Sequence, residues 1–465
     1  MSRAIIHTGS DATAGTTGSS CVVPASTTPP PPPPPPITIR ASIFFDGTGN
    51  NRANTARRVA HPTLYHLSHA PLLGDSFDND NSNIEKLERY LGTDGSVTHH
   101  FKIYVEGIGT NNHASDDPEG LALGTGPAGV KMRVNLGLFN IISRIRGYVT
   151  NPASPVTIYL DAFGFSRGAA AARYFCYQAM EHENFFNSPD GQNLQTELSS
   201  GGLNISSIQI KFVGLFDTVA SYGFNHEDDT NDLHLTAITH AQQVVHLASA
   251  DEHRENFPLT NIHSKGSSEI FLPGVHSDIG GGYTDNSSEE GLILYELDNL
   301  LFASVSEVAR YHAILTLEKN RLIASRWYMA SEITQNWNNI VVNKTGIRNH
   351  YSILPLRIMA GFAGEKTLTF GNLNSRCPIP PMLSSFYGRM QQYCAQKRGG
   401  GSSANDWSGN DDVDLWLLRH EYFHSSSYYD SLHSMHPQFY SPSHLWDDSM
   451  ANRITARRKR REFAG

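Results

Sequence analysis

Cysteine is scarce in this chain, and its scarcity argues against two kinds of scaffold. Only four cysteines occur among 465 residues, at positions 21, 176, 377 and 394, and no two of them form a C-x-x-C pair. Structural zinc sites and disulfide frameworks need several cysteines at short, regular spacings. The sequence therefore favours neither, and it does not indicate a redox compartment.

Long apolar runs and an excess of basic residues are also missing. No stretch approaches the roughly 18 apolar residues that a membrane-spanning helix needs, and the N-terminus lacks the charged-then-apolar order of a secretory signal. Lys and Arg number 36 against 45 Asp and Glu, a net charge of −9, whereas nucleic-acid-binding proteins normally carry the opposite balance. We therefore expect no nucleic-acid partner, and we expect synthesis in the cytoplasm without a signal peptide.

The first 36 residues differ in composition from the rest of the chain. They are small and polar and end in an unbroken proline run from Pro29 to Pro36. Such a run adopts extended polyproline II and acts as a semi-rigid spacer. We therefore predict a disordered N-terminal segment with a polyproline linker over residues 1–36.

Strand and helix patterns alternate after residue 36. Every second residue from Ile37 to Phe45 is apolar, which is typical of a strand. Further strands are predicted at 101–105, 156–160, 208–216 and 269–272, and helices at 82–91 and 136–145. This alternation favours an α/β fold with a mostly parallel sheet. Beyond residue 290 the pattern turns helical.

A G-x-S-x-G motif stands at residues 164–168, with Ser166 at its centre. Alone the motif is weak, but here a predicted strand precedes it and an alanine-rich helix from Ala169 follows it, which is the order of a nucleophile elbow. The helix N-terminus and the Arg167 N–H would then stabilise an oxyanion. The alternative is a chance glycine-serine turn before a helix.

A serine nucleophile needs a base and an orienting carboxylate. Asp217 follows the strand predicted at 208–216, and His276 follows the strand at 269–272, so the chain order is Ser, Asp, His. Asp217 also fits a helix N-cap. His424 is the chief rival to His276 among the 22 histidines.

Four motifs together are specific enough to indicate a family. They are FFDGTGN at 44–50, GFSRGA at 164–169, FDTV at 216–219 and PGVHSDIGGGY at 273–283, with a weaker stretch at 250–257. In sequence and order they resemble the catalytic domain of bacterial type VI secretion phospholipase effectors. The resemblance spans residues 37 to about 290.

The resemblance implies an α/β-hydrolase fold, a mostly parallel sheet flanked by helices with a helical cap or membrane-contacting region at its C-terminal end. Ser166, Asp217 and His276 match the family's catalytic triad, and the turn at Gly47 and Thr48 matches the loop that completes the oxyanion hole with Arg167. We accordingly expect a catalytic domain at 37–290. Residues 291–465 are expected to form a mainly helical region that completes the same structural unit.

The expected activity is that of a secreted antibacterial phospholipase A, which hydrolyses acyl esters of membrane glycerophospholipids through an acyl-enzyme. A cognate immunity protein and a spike or tube component of the secretion system are the expected partners, and the target-cell periplasm is the expected destination. No cofactor is expected. A calcium ion held through Asp278 stays an alternative that no residue spacing supports.

Two other functions stay open at this point. The same core suits a soluble carboxylesterase, lipase or polysaccharide deacetylase, and a non-catalytic secretion adaptor with a vestigial elbow is the alternative outside enzymes. The last fifteen residues contain the basic side chains Arg453, Arg457, Arg458, Lys459, Arg460 and Arg461. We interpret them as a solvated terminal helix, with contact to anionic lipid as the alternative.

Overall fold

The computed structural model describes residues 32–61, 76–181, 193–223, 229–262, 267–296, 304–407, 413–429 and 460–464. The predicted N-terminal spacer lies mostly outside these residues. The strands are β1 Ile37–Phe45, β2 His99–Val105, β3 Val156–Phe165, β4 Ile205–Phe216, β5 Val244–Ser249, β6 Leu259–Thr260, β7 Ser268–Leu272, β8 Ser287–Glu296, β9 Ile333–Gln335, β10 Asn339–Ile347 and β11 Glu462–Phe463.

The helices surround these strands. They are α1 Arg52–Ala60, α2 Asn83–Tyr90, α3 Pro118–Leu123, α4 Val130–Tyr148, α5 Arg167–Met180, α6 Leu194–Ser200, α7 His276–Gly280, α8 Val305–Ala324, α9 Ile353–Gly364, α10 Leu373–Arg376, α11 Ser384–Gln396 and α12 Val413–Glu421. Short 3-10 helices lie at Leu235–His240, Asn349–Ser352, Pro381–Leu383 and Ala404–Trp407. The helix predicted at 82–91 is present as α2, and the Ser82 side chain caps its N-terminus by accepting a hydrogen bond from the Glu85 N–H.

Six strands form the central sheet in the order β2-β1-β3-β4-β5-β7. Every neighbouring pair in it is parallel, and helices flank it. The predicted α/β-hydrolase-like fold is confirmed. The prediction lacked β5, because its short run Val-Val-His-Leu-Ala-Ser places a histidine inside a fully buried strand, and a short apolar run with a polar residue gives no clear period.

A buried ion network fixes β1 against β3. The Arg40 guanidinium donates to both carboxylate oxygens of Asp161, at 2.7 and 2.8 Å, and to Asp94 at 2.7 Å. Arg40 is 2% exposed and Asp161 is fully buried. A bidentate pair of this kind satisfies both charges where water cannot, so the polar residues of β1 and β3 are tolerated in a sheet covered on both faces.

The C-terminal region, predicted to be mainly helical, also contains strands. Strands β8, β9 and β10 form a separate antiparallel sheet, and the predicted boundary at residue 290 falls inside β8. The C-terminal region packs into the same hydrophobic core as the central sheet. Phe44 and Phe163 of the sheet share a cluster with Leu354 and Phe423 of the C-terminal region. The two regions therefore share one apolar interior.

The predicted terminal helix is wrong for the residues described at the end of the chain. Arg460 is 7% exposed, and β11 pairs in parallel with β6 through Glu462 and Leu259. The basic composition suggested solvation, but one guanidinium of the cluster is buried among acceptors.

No helix in the described part of the chain is long and apolar enough to cross a membrane.

We expect Arg40→Met to lower the free energy of unfolding by about 3–5 kcal/mol, because it leaves the buried Asp161 carboxylate without its counter-charge. Denaturant unfolding followed by circular dichroism measures the loss. The matched control is Arg398→Met, whose partner Glu365 lies on the surface with 36% of its side chain exposed; its loss should stay below about 1 kcal/mol. Equal losses in the two variants would contradict the network's role.

Candidate active site

Ser166 occupies a strained turn between β3 and α5. Its backbone has φ 58° and ψ −129°, a region that non-glycine residues seldom adopt and that marks functional turns. A Cβ on Gly164 would lie 2.2 Å from the Gly168 carbonyl oxygen, and one on Gly168 would lie 2.3 Å from the Asp46 carbonyl oxygen. Both glycines are therefore required by close backbone approach, as the motif predicts.

The register of the parallel sheet brings Asp217 beside Ser166. Phe165, the last residue of β3, pairs with Phe216, the last residue of β4, and the Ser166 N–H donates to the Phe216 carbonyl at 3.0 Å. Asp217 follows at once, with φ 43°. His276 begins α7, just beyond β7. All three predicted residues thus lie at the carboxyl ends of the strands, where α/β proteins bind ligands.

Asp217 and His276 are directly hydrogen-bonded. Nδ1 of His276 lies 2.5 Å from Oδ2 of Asp217, and the Asp217 carboxylate is fully buried. Burial works to raise the pKa of Asp217, but the Arg460 charge and the hydrogen bond from His276 outweigh burial and hold that pKa well below the usual aspartate value. Asp217 is therefore ionised and orients the imidazole.

Aromatic rings enclose the His276 imidazole. The Phe165 ring centroid lies 4.6 Å from it, and the Phe257 ring meets it edge-on at 5.0 Å. Burial lowers the pKa of His276 below the usual histidine value, and Asp217 offsets only part of that effect. The imidazole is therefore neutral at neutral pH and able to accept a proton.

The hydrogen bond expected between the nucleophile Ser166 and the base His276 is not formed. Within the described residues, no hydrogen bond joins Ser166 to His276, and Nε2 of His276 has no hydrogen-bond partner. Its other ring nitrogen is held by Asp217, so Nε2 is the atom left for a proton. Hydrogen bonds between a nucleophile and its base are often long until substrate is bound.

His424, the rival base, belongs to a different cluster. Its Nδ1 lies 2.8 Å from Oδ1 of Asp278, and its Nε2 lies 2.8 Å from the Ser287 hydroxyl. Its ring stacks on Tyr283 with centroids 3.8 Å apart. Both ring nitrogens are occupied by these partners, and no hydrogen bond links His424 to Asp217. The geometry favours His276 over His424 as a base.

A buried aspartate organises the turn predicted for the oxyanion hole. Asp46 accepts hydrogen bonds from the Ser82 hydroxyl at 2.5 Å, the Tyr104 hydroxyl at 2.6 Å and the Gly47 N–H at 2.8 Å. The Gly47 N–H is therefore engaged inside the turn. No hydrogen bond from the Thr48 N–H forms among the described residues, which makes it the available backbone donor here.

The Arg167 side chain ties this turn to a second loop. Its Nε donates to the Thr48 hydroxyl at 2.8 Å, and its two terminal nitrogens donate to the carbonyls of Gly120 and Leu121. Arg167 is 9% exposed, and burial lowers its pKa to about 10. In the described part of the chain no carboxylate pairs with it. Among the described residues it is thus a buried cation without a counter-charge, and it follows the candidate nucleophile directly in the chain.

Sequence reasoning missed two groups that hold the acid and base loops. Glu252 accepts from the His276 N–H at 3.3 Å and from the Ser426 hydroxyl at 3.0 Å; its only signal was the weak family stretch at 250–257. Arg460 donates to both oxygens of Asp217, at 2.6 and 3.0 Å. The contact of Arg460 with Asp217 was not predicted, because a cluster of basic residues is usually solvated.

The described residues contain no group of three or more His, Cys, Asp or Glu side chains that could hold a metal ion. Asp278, the residue at which calcium was weighed, accepts hydrogen bonds from His424 and from the Val275 N–H at 3.0 Å. Its carboxylate is thus bound to protein donors.

Comparison with known proteins shows which family and structures this chain is similar to. Residues 174–307 match the family model described as T6SS, Phospholipase effector Tle1-like, catalytic domain, a range that includes Asp217 and His276 and begins after Ser166. No curated protein matches the chain.

Two solved structures are also similar. The structure of the Tle1 effector bound to the VgrG spike from the Type 6 secretion system aligns over 85% of this chain and 85% of its own, with 22% identity and a TM-score of 0.56. An uncharacterized protein from Pseudomonas aeruginosa aligns over 79% of this chain and 52% of its own, with 18% identity and a TM-score of 0.41.

The first of these structures shows the shared fold, and the family model matches residues 174–307 to the catalytic domain of the effector family. Together they confirm the resemblance drawn from the four motifs: this chain is similar to the Tle1-like phospholipase effectors of type VI secretion.

Proposed function

We propose that this protein is a serine phospholipase A that hydrolyses acyl esters of glycerophospholipids. The observation that carries the proposal is the hydrogen bond of 2.5 Å between His276 and Asp217 at the sheet edge that also presents Ser166 on a strained turn. A nucleophile, a neutral base and an ionised orienting acid are the three groups that acyl transfer needs.

In the proposed reaction, His276 takes the hydroxyl proton of Ser166 at Nε2 while Ser166 attacks the ester carbonyl. Asp217 keeps the imidazole in the required tautomer and stabilises the imidazolium that forms. The backbone N–H groups of Arg167 and Thr48 hold the oxyanion, with the α5 N-terminus behind them. His276 then protonates the leaving alcohol. Water, activated by the same histidine, hydrolyses the acyl-enzyme.

The Arg167 guanidinium supports a phospholipid over a neutral ester. A buried cation without a counter-charge is costly, and Arg167 lies next to Ser166 with no carboxylate partner in the described ranges. A glycerophospholipid carries a phosphate only a few bonds from its acyl esters. The phosphate would supply the missing negative charge when the ester carbonyl is seated at Ser166.

Delivery by a type VI secretion spike completes the proposal. The similar Tle1 effector has been solved bound to a VgrG spike, and a proline run separates the N-terminal residues of this chain from β1. A spike or tube component is accordingly a proposed partner. A cognate immunity protein is another, and the target-cell periplasm is the proposed site of action.

We expect Ser166→Ala to remove phospholipid hydrolysis, with a fall in kcat of at least about 10³-fold, because the covalent step loses its nucleophile. The assay incubates the purified protein with mixed phospholipid vesicles and measures lysolipids and fatty acids by mass spectrometry. Ser277→Ala, a serine beside the candidate base, is the matched control and should keep its activity. Unchanged turnover in folded Ser166→Ala protein would rule out this nucleophile.

The two candidate bases are separable by substitution. His276→Ala should lower kcat about as much as Ser166→Ala does, because residues that act as one unit give non-additive losses. His424→Asn keeps a donor toward Asp278 and should retain most of the activity. The measurement is kcat on a water-soluble ester, with thermal unfolding as the check on folding. A reversed ranking would assign the base to His424.

Toxicity tests the antibacterial role. Made in the cytoplasm of a bacterial host, the protein should be harmless; sent to the periplasm by an added signal sequence, it should lyse cells or stop their growth, since phospholipid is accessible there. Ser166→Ala in the periplasm is the control and should be harmless. If that variant is as toxic as the parent, or if an active enzyme is harmless there, the effector role fails while the lipase activity stands.

A further inference from the structure

Arg460 binds the same carboxylate that orients the candidate base. Its Nη1 donates to Oδ1 of Asp217 at 2.6 Å and its Nη2 donates to Oδ2 at 3.0 Å, across a sequence separation of 243 residues. Oδ2 is also the oxygen that meets His276. A guanidinium fork of this kind holds a carboxylate in one plane, so Arg460 fixes the direction in which Asp217 faces the imidazole.

The arginine is itself held in place. Its Nε donates to the Phe257 carbonyl at 2.8 Å and its Nη1 to the Ser249 hydroxyl at 3.0 Å. Strand β11 follows immediately and pairs with β6, where the Leu259 N–H donates to the Arg461 carbonyl at 2.8 Å. The guanidinium is therefore held in a fixed position in the site by the last described segment of the chain.

The other charges near the pair balance one another. Glu252 lies against the His276 backbone but is paired with Arg254 at 3.0 Å. Several charged groups act on Asp217 and His276. Of these, Arg460 is the cation that pairs directly with the Asp217 carboxylate. Without it, the imidazole would be the one remaining group in the described residues that balances the charge of the buried carboxylate.

We propose that Arg460 is a positioning residue of the site: it orients Asp217 and limits how strongly that carboxylate attracts a proton to His276. The proposal rests on the function proposed above. It also makes the C-terminal segment a condition for activity, since the pairing of β11 with β6 holds the adjacent Arg460 in the site from outside the catalytic motifs.

The test uses the full chain with Arg460→Met, Arg460→Lys and the control Arg461→Met, whose side chain is exposed on the same segment. The readouts are kcat and KM for a water-soluble ester across pH, and the titration midpoint of the His276 imidazole by NMR, assigned with His276→Asn. Thermal unfolding follows the folding of each variant.

Arg460→Met should lower kcat by about 10–100-fold, as the loss of a hydrogen-bond partner that orients a metal ligand does, with KM nearly unchanged. The His276 midpoint should rise, because an unpaired Asp217 stabilises the imidazolium, and the acidic limb of the pH profile should move up with it. Arg460→Lys keeps the charge without the fork, so its midpoint should stay near that of the parent while kcat falls. Arg461→Met should change neither quantity.

The proposal is overturned if folded Arg460→Met and Arg460→Lys keep both the parent kcat and the parent midpoint, or if Arg460→Met loses only thermal stability. Failure of the proposed function looks different. In that case the parent hydrolyses no ester, while the His276 midpoint still rises in Arg460→Met and the positioning of the imidazole stands on the NMR result.

Discussion

One buried carboxylate joins the separate parts of the candidate site. Asp217 stands at the end of β4 and receives donors from the Ser249 N–H at 2.8 Å, the His276 ring and the Arg460 fork. An ionised carboxylate is stable away from water only when its lone pairs are satisfied. Here the donors come from the end of β5, the first residue of α7 and the C-terminal segment. The charge is therefore tolerated only when all of these segments are in place.

The parallel sheet makes that convergence possible. Strands β3, β4, β5 and β7 are consecutive neighbours, so their carboxyl ends line one edge, and the residue after each strand meets the residues after the next. The elbow adds a steric condition, because Gly168 lies against the backbone of residues 45 and 46, the turn that leads to the candidate oxyanion donors. One backbone approach thus positions the nucleophile and the oxyanion loop together.

The sequence predicted these parts to different degrees, for physical reasons. The buried strands and the elbow were predictable because period, glycine spacing and chain order are local signals. Strand β5 was not, since a histidine interrupts its apolar run, and the antiparallel β8–β10 sheet was not, because its pairing joins residues far apart in sequence. Arg460 was misassigned for the same reason: its partner Asp217 lies 243 residues away, and a guanidinium pairs with a distant carboxylate only once the fold brings them together.

The charges of the site are divided between its two sides. On the side of the acid and base, Asp217 and Glu252 are each paired with an arginine, Arg460 and Arg254, so little net charge is left there. On the other side, the N-terminus of α5 adjoins Ser166, and the Arg167 guanidinium is bound to Thr48, Gly120 and Leu121 without a carboxylate partner in the described residues. Under the proposed function, the developing oxyanion and the phosphate of the lipid would both lie on that positive side. A neutral ester offers only the first of these, so under the proposed function the charge arrangement favours a phosphate-bearing lipid as the substrate.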